Sequence, residues 1–314
     1  MVDFWPGAKL LKRILALFGI LADTPKTDKR WLSSVLVVAI LCCSCAATEY
    51  HAEYDAHATP SPTQDAIAPY EQGMPSPVAC GGCWRPAPMT SWQVQFTGQL
   101  DLSIDASVYE IDLFDTSSAA VEKLHQAGRH AVCYIDAGTW EGWRPDASRY
   151  PASVLGNSNH WPDERWVDIR RLSILAPILT ARMDLCKAKG FDAVAFDNVN
   201  GYTINTGFPL TYDDQLRFNA YLANAAHARH LSVAIINDVG QLSRLVSYFD
   251  WAIVEQCFQY KECGQTQPFL DAHEAVMAVE YGLPLSQFCS RANAMRISAI
   301  EKRIDLDAYR VACS

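Results

Sequence analysis

From about Cys80 to the C-terminus the chain repeats one order of hydrophobic and polar positions. A short apolar run rich in β-branched or aromatic residues comes first, then a polar loop, then a stretch whose apolar positions have helical spacing. The runs that predict strands are WQVQFTG at 92–98, VYEIDLF at 108–114, HAVCYIDAG at 130–138, WVDI at 166–169, AVAFDN at 193–198, LSVAIIND at 231–238, WAIVEQCF at 251–258 and AVMAVEY at 275–281. A further run at 297–300 competes with the brief WVDI for a place among the eight. Helical stretches such as SSAAVEKLHQAG and LTARMDLCKAKG separate several runs and end in glycine, a common helix stop. Strands alternating with helices are parallel strands joined by crossovers. The predicted fold is therefore α/β, a (β/α)8 TIM barrel. An open doubly wound sheet shows the same alternation, but no glycine-rich phosphate loop follows any run, so a dinucleotide or P-loop function loses its main support.

A barrel occupies roughly 200 to 250 residues, fewer than the 314 present. The excess lies at the N-terminus. Residues 1–47 form a targeting segment: Lys29 and Arg30 precede the apolar run WLSSVLVVAILCCSCAA, the pattern of a secretory signal, with a retained anchor as the alternative. Cysteine at the end of that run also suggests lipoprotein processing, although Leu41 lies four residues before Cys45 rather than three. The upstream stretch KLLKRILALFGILA has the spacing of a membrane-surface helix. Residues 48–78 contain no Lys or Arg, are rich in Ala, Pro, Ser and Thr, and read as a flexible linker. The folded unit is expected over 79–314, secreted or held at the cell surface, with membrane association only through the N-terminal segment.

Net charge is −9, and residues 1–45 carry six Lys/Arg against three Asp/Glu, leaving −12 for the remainder. That balance argues against nucleic acid as a partner and suits a cationic ligand. Of the eleven cysteines, eight follow the apolar run, an even number that fits an oxidising compartment. Cys257 and Cys263 flank a five-residue turn, where a bridge would fix the loop. Cys80 and Cys83 form CGGC, with pairing to each other, to Cys289 or to Cys313 left open. No histidine cluster has metal-ligand spacing and no Gly-x-Ser-x-Gly elbow follows a strand, so the chemistry expected needs no metal and no cofactor.

In a barrel the C-terminal ends of the strands share one face, and that face holds the active site. Asp112, Asp136, Asp197, Asn198, Asn237, Glu255, Gln256 and Glu280 all lie at or just beyond such ends. Cleaving a glycosidic bond takes two carboxyl groups facing one another across the sugar. Asp197 ends AVAFDN and Glu255 ends WAIVE, with Trp140, Trp143, Tyr202, Phe258 and Tyr260 nearby to stack on sugar faces. A strand-end acid more often caps a helix or pairs with arginine; it is the aromatics on the same loops that favour catalysis here.

The segments CYIDAGTWEGWRPD, GFDAVAFDNVNGY, IINDVGQL and VEQCFQYKEC resemble glycoside hydrolase family 114, the endo-α-1,4-polygalactosaminidases, over residues from about 84 to 313. The resemblance implies an exported barrel enzyme that hydrolyses a galactosamine-containing polysaccharide. It places the catalytic pair on Asp197 and Glu255, with Asp197 as nucleophile and Glu255 as general acid/base, an order the sequence leaves exchangeable. It adds substrate contacts from Tyr134, Glu141, Arg144, Asn198, Tyr202, Asn237 and Glu280. Asp112, Asp136 and Glu280 are read two ways, as further carboxylates for a polymer of free amines or as organisers of hydrogen bonds beneath the site. Two departures from the family pattern stand beside the site: Ala195 begins Ala-Phe-Asp-Asn where members usually have Asp-Pro-Asp-Asn, and Ile236 replaces a common lysine. They keep open two other functions, a non-catalytic polysaccharide-binding barrel at the cell surface and a hydrolase of a different α-glycan. The enzyme is expected to act as a monomer, by retention.

Overall fold

The computed structural model describes residues 69–70 and 73–313. The targeting segment at 1–47 and most of the linker fall outside the described residues. In chain order the barrel opens with β1 (Trp92–Gln95), β2 (Val108–Asp112), α1 (Ser118–Gln126) and β3 (His130–Asp136). An insertion follows, made of β4 (Thr139–Glu141), β5 (Leu155–Ser158) and β6 (Glu164–Val167). Helix α2 (Leu172–Lys189) then leads to β7 (Ala193–Asp197), α3 (Tyr212–His227), β8 (Ser232–Ile236), α4 (Leu242–Leu245) and β9 (Trp251–Glu255). The chain ends with α5 (Gln267–Asp271), β10 (Val276–Glu280), α6 (Leu285–Met295), β11 (Ser298–Glu301) and β12 (Val311–Ala312).

The sheet order is β1-β2-β3-β7-β8-β9-β10-β11-β12, parallel throughout except for the antiparallel β11–β12 pair. The C-terminal segment brings the two ends of this sheet together. Trp92 Nε1 donates to Ser298 O at 2.8 Å, Arg310 Nε to Trp92 O at 2.6 Å, and Phe96 N to Leu306 O at 2.9 Å. The architecture is a (β/α)8 barrel. One expected strand is corrected: WVDI contributes Trp166 and Val167 to β6, which pairs antiparallel with β4 and β5 in a separate three-stranded sheet, and the eighth barrel strand is β11 at 298–301. A four-residue apolar run carries no sign of its partner strand, and here the partner is a hairpin of the insertion.

Alternation along the strands sorts side chains into two layers. Val108, Val132, Ala193, Ala195, Ala234, Ile236, Trp251, Ile253, Met277, Val279 and Ile300 fill the barrel interior. Their sequence neighbours, such as Tyr109, Ile111, Cys133, Ile135, Val194, Phe196, Ile235 and Val254, face the helices. Helix α2 presents Leu172, Leu175, Leu179, Met183 and Cys186 to that second layer and stops at Gly190, whose φ of 91° an L side chain adopts only with strain. Four disulfides brace the shell. Cys133–Cys186 ties β3 to α2, Cys257–Cys263 closes the turn after β9, Cys289–Cys313 anchors the C-terminal segment to α6, and Cys80–Cys83 closes on itself.

Described residues that composition reads as linker, Tyr70 and Pro75 to Val78, pack against the barrel. Tyr70 stacks edge-on against Tyr221 and accepts from Asn224 Nδ2 at 2.7 Å. Val78 N donates to Asn224 Oδ1 at 2.7 Å, and Pro75 O accepts from Tyr248 at 2.6 Å. Side chains of α3 and of the loop after α4 thus satisfy this irregular backbone, a partnership that composition does not reveal. Among the described residues no helix is long and apolar enough to cross a membrane.

Candidate active site

The strands that carry the site end in left-handed residues. Asn198 follows Asp197 at φ 58°, Asn237 and Asp238 follow β8 at 62° and 47°, and Gln256 follows Glu255 at 56°. Short polar side chains tolerate this region best. The reversal turns the backbone away at the rim and leaves Asp197 and Glu255 as the last inward-facing residues of β7 and β9.

The two carboxyl groups sit in matching cradles. Asp197 accepts from Asn198 N at 2.7 Å and from the Tyr134 hydroxyl at 2.8 Å. Glu255 accepts from Asn237 Nδ2 at 3.1 Å and from the Tyr281 hydroxyl, while its own N donates to Asn237 Oδ1 at 2.8 Å. Burial, then the charges of Glu255 and Asp136, push Asp197 up to about 8 against the pull of Asn198 N and Tyr134. Burial and the neighbouring carboxylates thus favour a proton on Asp197 in the free protein. Glu110 lies on the same face of β2 as Val108 and Asp112, deeper in the barrel. Burial and the charges of Asp197 and Glu255 hold it well above the usual carboxyl range.

The other expected site residues divide by what they touch. Tyr134 and Asn198 touch Asp197, and Asn237 touches Glu255. Tyr202, on the loop after β7, meets Tyr212 edge to face at 5.4 Å and lies near Asp238, which burial pushes up to about 8. Asp112, Glu141 and Arg144 bind one another. Arg144 is bidentate to Asp112 at 2.9 and 2.6 Å and to Glu141 at 2.7 and 2.8 Å, and all three are buried. Trp143, 39% exposed, stands over that guanidinium at the rim. Asp136 accepts from Thr139 N, Thr139 Oγ1 and Asn198 Nδ2 at 3.0, 2.6 and 2.8 Å. Glu280 points away from the barrel axis, buried, and its Oε1 accepts from Phe258 N at 2.8 Å, holding the loop after β9.

Tyr281 and Glu110 were missed in the sequence, though strand parity marks both: Met277, Val279 and Tyr281 share the inward face that Glu280 lacks, and Glu110 shares it with Asp112. Arg182 and Glu164 gave no such signal. Arg182 on α2 binds Asp146 at 2.7 and 2.9 Å and donates to Asp136 O at 2.8 Å. Glu164 arrives from the insertion. The departures Ala195 and Ile236 both lie in the barrel interior on adjacent strands, Ala195 one inward step below Asp197 and Ile236 level with Asp197 in register and paired with Ile253, one inward step below Glu255. Among the described residues no cluster of side chains suits a metal ion.

Residues 75–314 match the model of glycoside-hydrolase family GH114. Among solved structures, Aspergillus fumigatus Ega3 in complex with galactosamine is 33% identical with a TM-score of 0.72, covering 76% of this chain and 100% of that one. The glycoside hydrolase domain of PelA from Pseudomonas aeruginosa is 14% identical with a TM-score of 0.57, covering 71% of this chain and 98% of that one, a likeness of fold. No curated protein matches.

Proposed function

Since the chain belongs to glycoside-hydrolase family GH114, we propose that it is an exported, endo-acting enzyme that hydrolyses α-1,4-linked galactosamine-containing polysaccharide with Asp197 and Glu255. The observation that carries this reading is the facing pair itself, two inward carboxyl groups at the ends of β7 and β9, each held by one tyrosine hydroxyl and one amide. The amino-sugar in the Ega3 complex supports the substrate class. A polymer of free amines is cationic and suits an acidic protein. The disulfides support an oxidising compartment, in keeping with residues 1–47 as the targeting segment and 79–314 as the hydrolase unit.

In this mechanism Asp197 attacks the anomeric carbon as a carboxylate while Glu255 gives its proton to the departing glycosidic oxygen. Glu255 then takes a proton from water, whose oxygen displaces Asp197 and restores both groups. Substrate has to move the resting proton off Asp197, and the sugar ammonium favours that move by stabilising the carboxylate. Tyr134 and Asn198 N stabilise the same form.

The test is product release from partly deacetylated α-1,4-galactosaminogalactan by the purified chain, beside Asp197→Asn and Glu255→Gln. Oligosaccharides from the unsubstituted chain alone support the reading. None from any of the three folded proteins overturns the substrate assignment. The anomer formed first, read by NMR, tests retention.

A further inference from the structure

The hydroxyl of Thr139 stands between two carboxyl oxygens, 2.6 Å from Asp136 Oδ2 and 2.8 Å from Glu164 Oε1. A hydroxyl has one hydrogen to give. It can donate to one of those oxygens, and at such distances the other contact also needs a hydrogen, which a carboxylate lacks. The remaining donors do not supply it. Asn198 Nδ2 and Thr139 N already donate to Asp136, and Asn159 Nδ2 already donates to Glu164 Oε1.

We propose that Asp136 and Glu164 share one proton through the Thr139 hydroxyl, and that Glu164 is thereby a positioning residue for Asp197. The chain of contacts runs from Glu164 on β6 through Thr139 to Asp136 on β3, through Asn198 Nδ2 to Asn198, and from Asn198 N to Asp197 Oδ1. Two features stiffen it. Ala137 N and Gly138 N both donate to Asp197 O, at 3.1 and 3.2 Å. A Cβ on Gly138 would lie 1.7 Å from Asn198 O, so the ends of β3 and β7 meet with no room for a side chain. Loss of the shared proton leaves two carboxylates facing each other across one hydroxyl and loosens the contact that aims Asn198. The antiparallel insertion, which interrupts the βα repeat, thus reaches the catalytic aspartate.

The charged surroundings favour a retained proton. Glu164 faces Asp136, Glu141 and Asp197, and Asp136 faces Glu164 and Glu141, with Arg182 as the opposing cation. Asp197 also faces Asp136, Asp146 pairs with Arg182, Arg144 pairs with Glu141, and Tyr134 and Tyr150 stand nearby. Burial first, then Glu141, pushes Glu164 up to about 7, and burial with Glu164 holds Asp136 well above its usual range. Glu164 is raised from 4.5, so the folded state binds the extra proton between that value and about 7. The stability it contributes is present at low pH and lost as pH rises through that window.

The experiment measures Tm against pH from 4.5 to 8.5 for the purified chain and for Glu164→Gln, with the pH profile of kcat/KM as a second readout. Glutamine cannot gain or lose the proton. The Tm difference between the two proteins should therefore shift by about 5 °C or more in favour of the variant as pH rises through the window. Glu164→Gln should also keep hydrolysis at a pH where the unsubstituted chain has begun to lose it. Thr139→Ser, which retains the hydroxyl, should follow the unsubstituted chain, and Thr139→Val should not. Parallel Tm curves for Glu164→Gln overturn the shared proton, and if that variant does not fold, superimposable Ser and Val curves do so. A shifted Tm curve with an unshifted kcat/KM profile overturns the positioning role. The Tm arm needs no substrate, so failure to cleave galactosaminogalactan counts against the proposed function and leaves this inference decided by Tm.

Discussion

Replacing Tyr134 by phenylalanine deletes one hydroxyl from the cradle of Asp197 and keeps the ring that packs against Phe96 at 4.4 Å. The deleted bond is the 2.8 Å donation to Asp197 Oδ2. A hydrogen bond to a charged group contributes about 1.5 to 3 kcal/mol, and one pH unit of proton affinity is about 1.4 kcal/mol. The variant should therefore hold the Asp197 proton about one to two pH units more tightly. In a coupled pair the active form carries one proton, and in the Glu164→Gln background, where the Asp136–Glu164 proton no longer contributes, loss of that proton sets the alkaline limb of kcat/KM, so both proteins are compared in that background. With Asp197 at about 8 in the unsubstituted chain, Tyr134→Phe moves that limb upward. If Asp197 is the nucleophile, the productive arrangement, with the proton on Glu255, becomes rarer by the same factor, and kcat/KM at pH 7 falls by about 10- to 100-fold.

The assay is initial rate against pH from 5 to 10 on one polymer sample, expressed as the ratio of the proteins with and without Tyr134→Phe, both carrying Glu164→Gln, so that titration of the substrate amines cancels. An alkaline limb that does not move refutes the location of the resting proton. A limb that moves while kcat/KM at pH 7 is unchanged refutes Asp197 as nucleophile and gives it the acid role, since that arrangement is the one the variant favours.

Three other perturbations follow from the same geometry. Glu110→Gln should keep kcat/KM at pH 7 within about threefold, because burial and the charges of Asp197 and Glu255 disfavour the charged form that glutamine cannot supply; a loss of tenfold or more would show that its charged form is used. Gly138→Ala sets a Cβ 1.7 Å from Asn198 O, so the strand ends must part. Overpacking of this kind costs about 1 to 3 kcal/mol, and activity should fall further than the Tm of the same sample indicates; unchanged turnover would refute the close approach. Removing Cys133–Cys186 by paired alanines opens a link across a sequence separation of 53, worth about 4 kcal/mol by loop entropy and about 10 °C in Tm, measurable by calorimetry. A loss under about 2 °C would mean that α2 is held to β3 by packing alone.

The barrel was legible because its strands are buried on both faces and its helices on one, so each element carries its own period. What stayed hidden depended on partners distant in sequence. WVDI looks like a barrel strand until β4 is seen beside it, and Tyr70 to Val78 looks like a tether until Asn224, His227 and Tyr248 are seen to receive it. Strand ends and motif together single out Asp197 and Glu255, the two carboxyl groups that end β7 and β9 facing inward, whereas strand parity turns Tyr281 inward and Glu280 outward, a distinction that strand ends alone do not draw. Asp112, Glu141 and Arg144 were expected as substrate contacts, and no pattern in sequence shows that their charges are spent on one another.

The two departures from the family pattern gain a physical meaning from their position. Ala195 stands one inward step below Asp197 on β7, and Ile236 lies on the neighbouring strand, both buried in the interior cluster with Val132, Ala193 and Ile253. An aspartate at 195 would be a buried carboxylate one inward step below Asp197, and a lysine at 236 a buried ammonium level with it; taking either charge out of water costs several kcal/mol. Losing both together removes the cost and leaves an apolar floor. That floor offers Asp197 no cation, so its proton affinity is set by burial from below and by Glu255 and Asp136 from the sides. A lysine at 236 would act in the opposite direction and favour the carboxylate. Loss of the lysine alone would make the proton on Asp197 harder to remove and loss of the aspartate alone would make it easier, so with both absent the balance on that proton is left to burial, Glu255, Asp136 and the cationic group of a substrate.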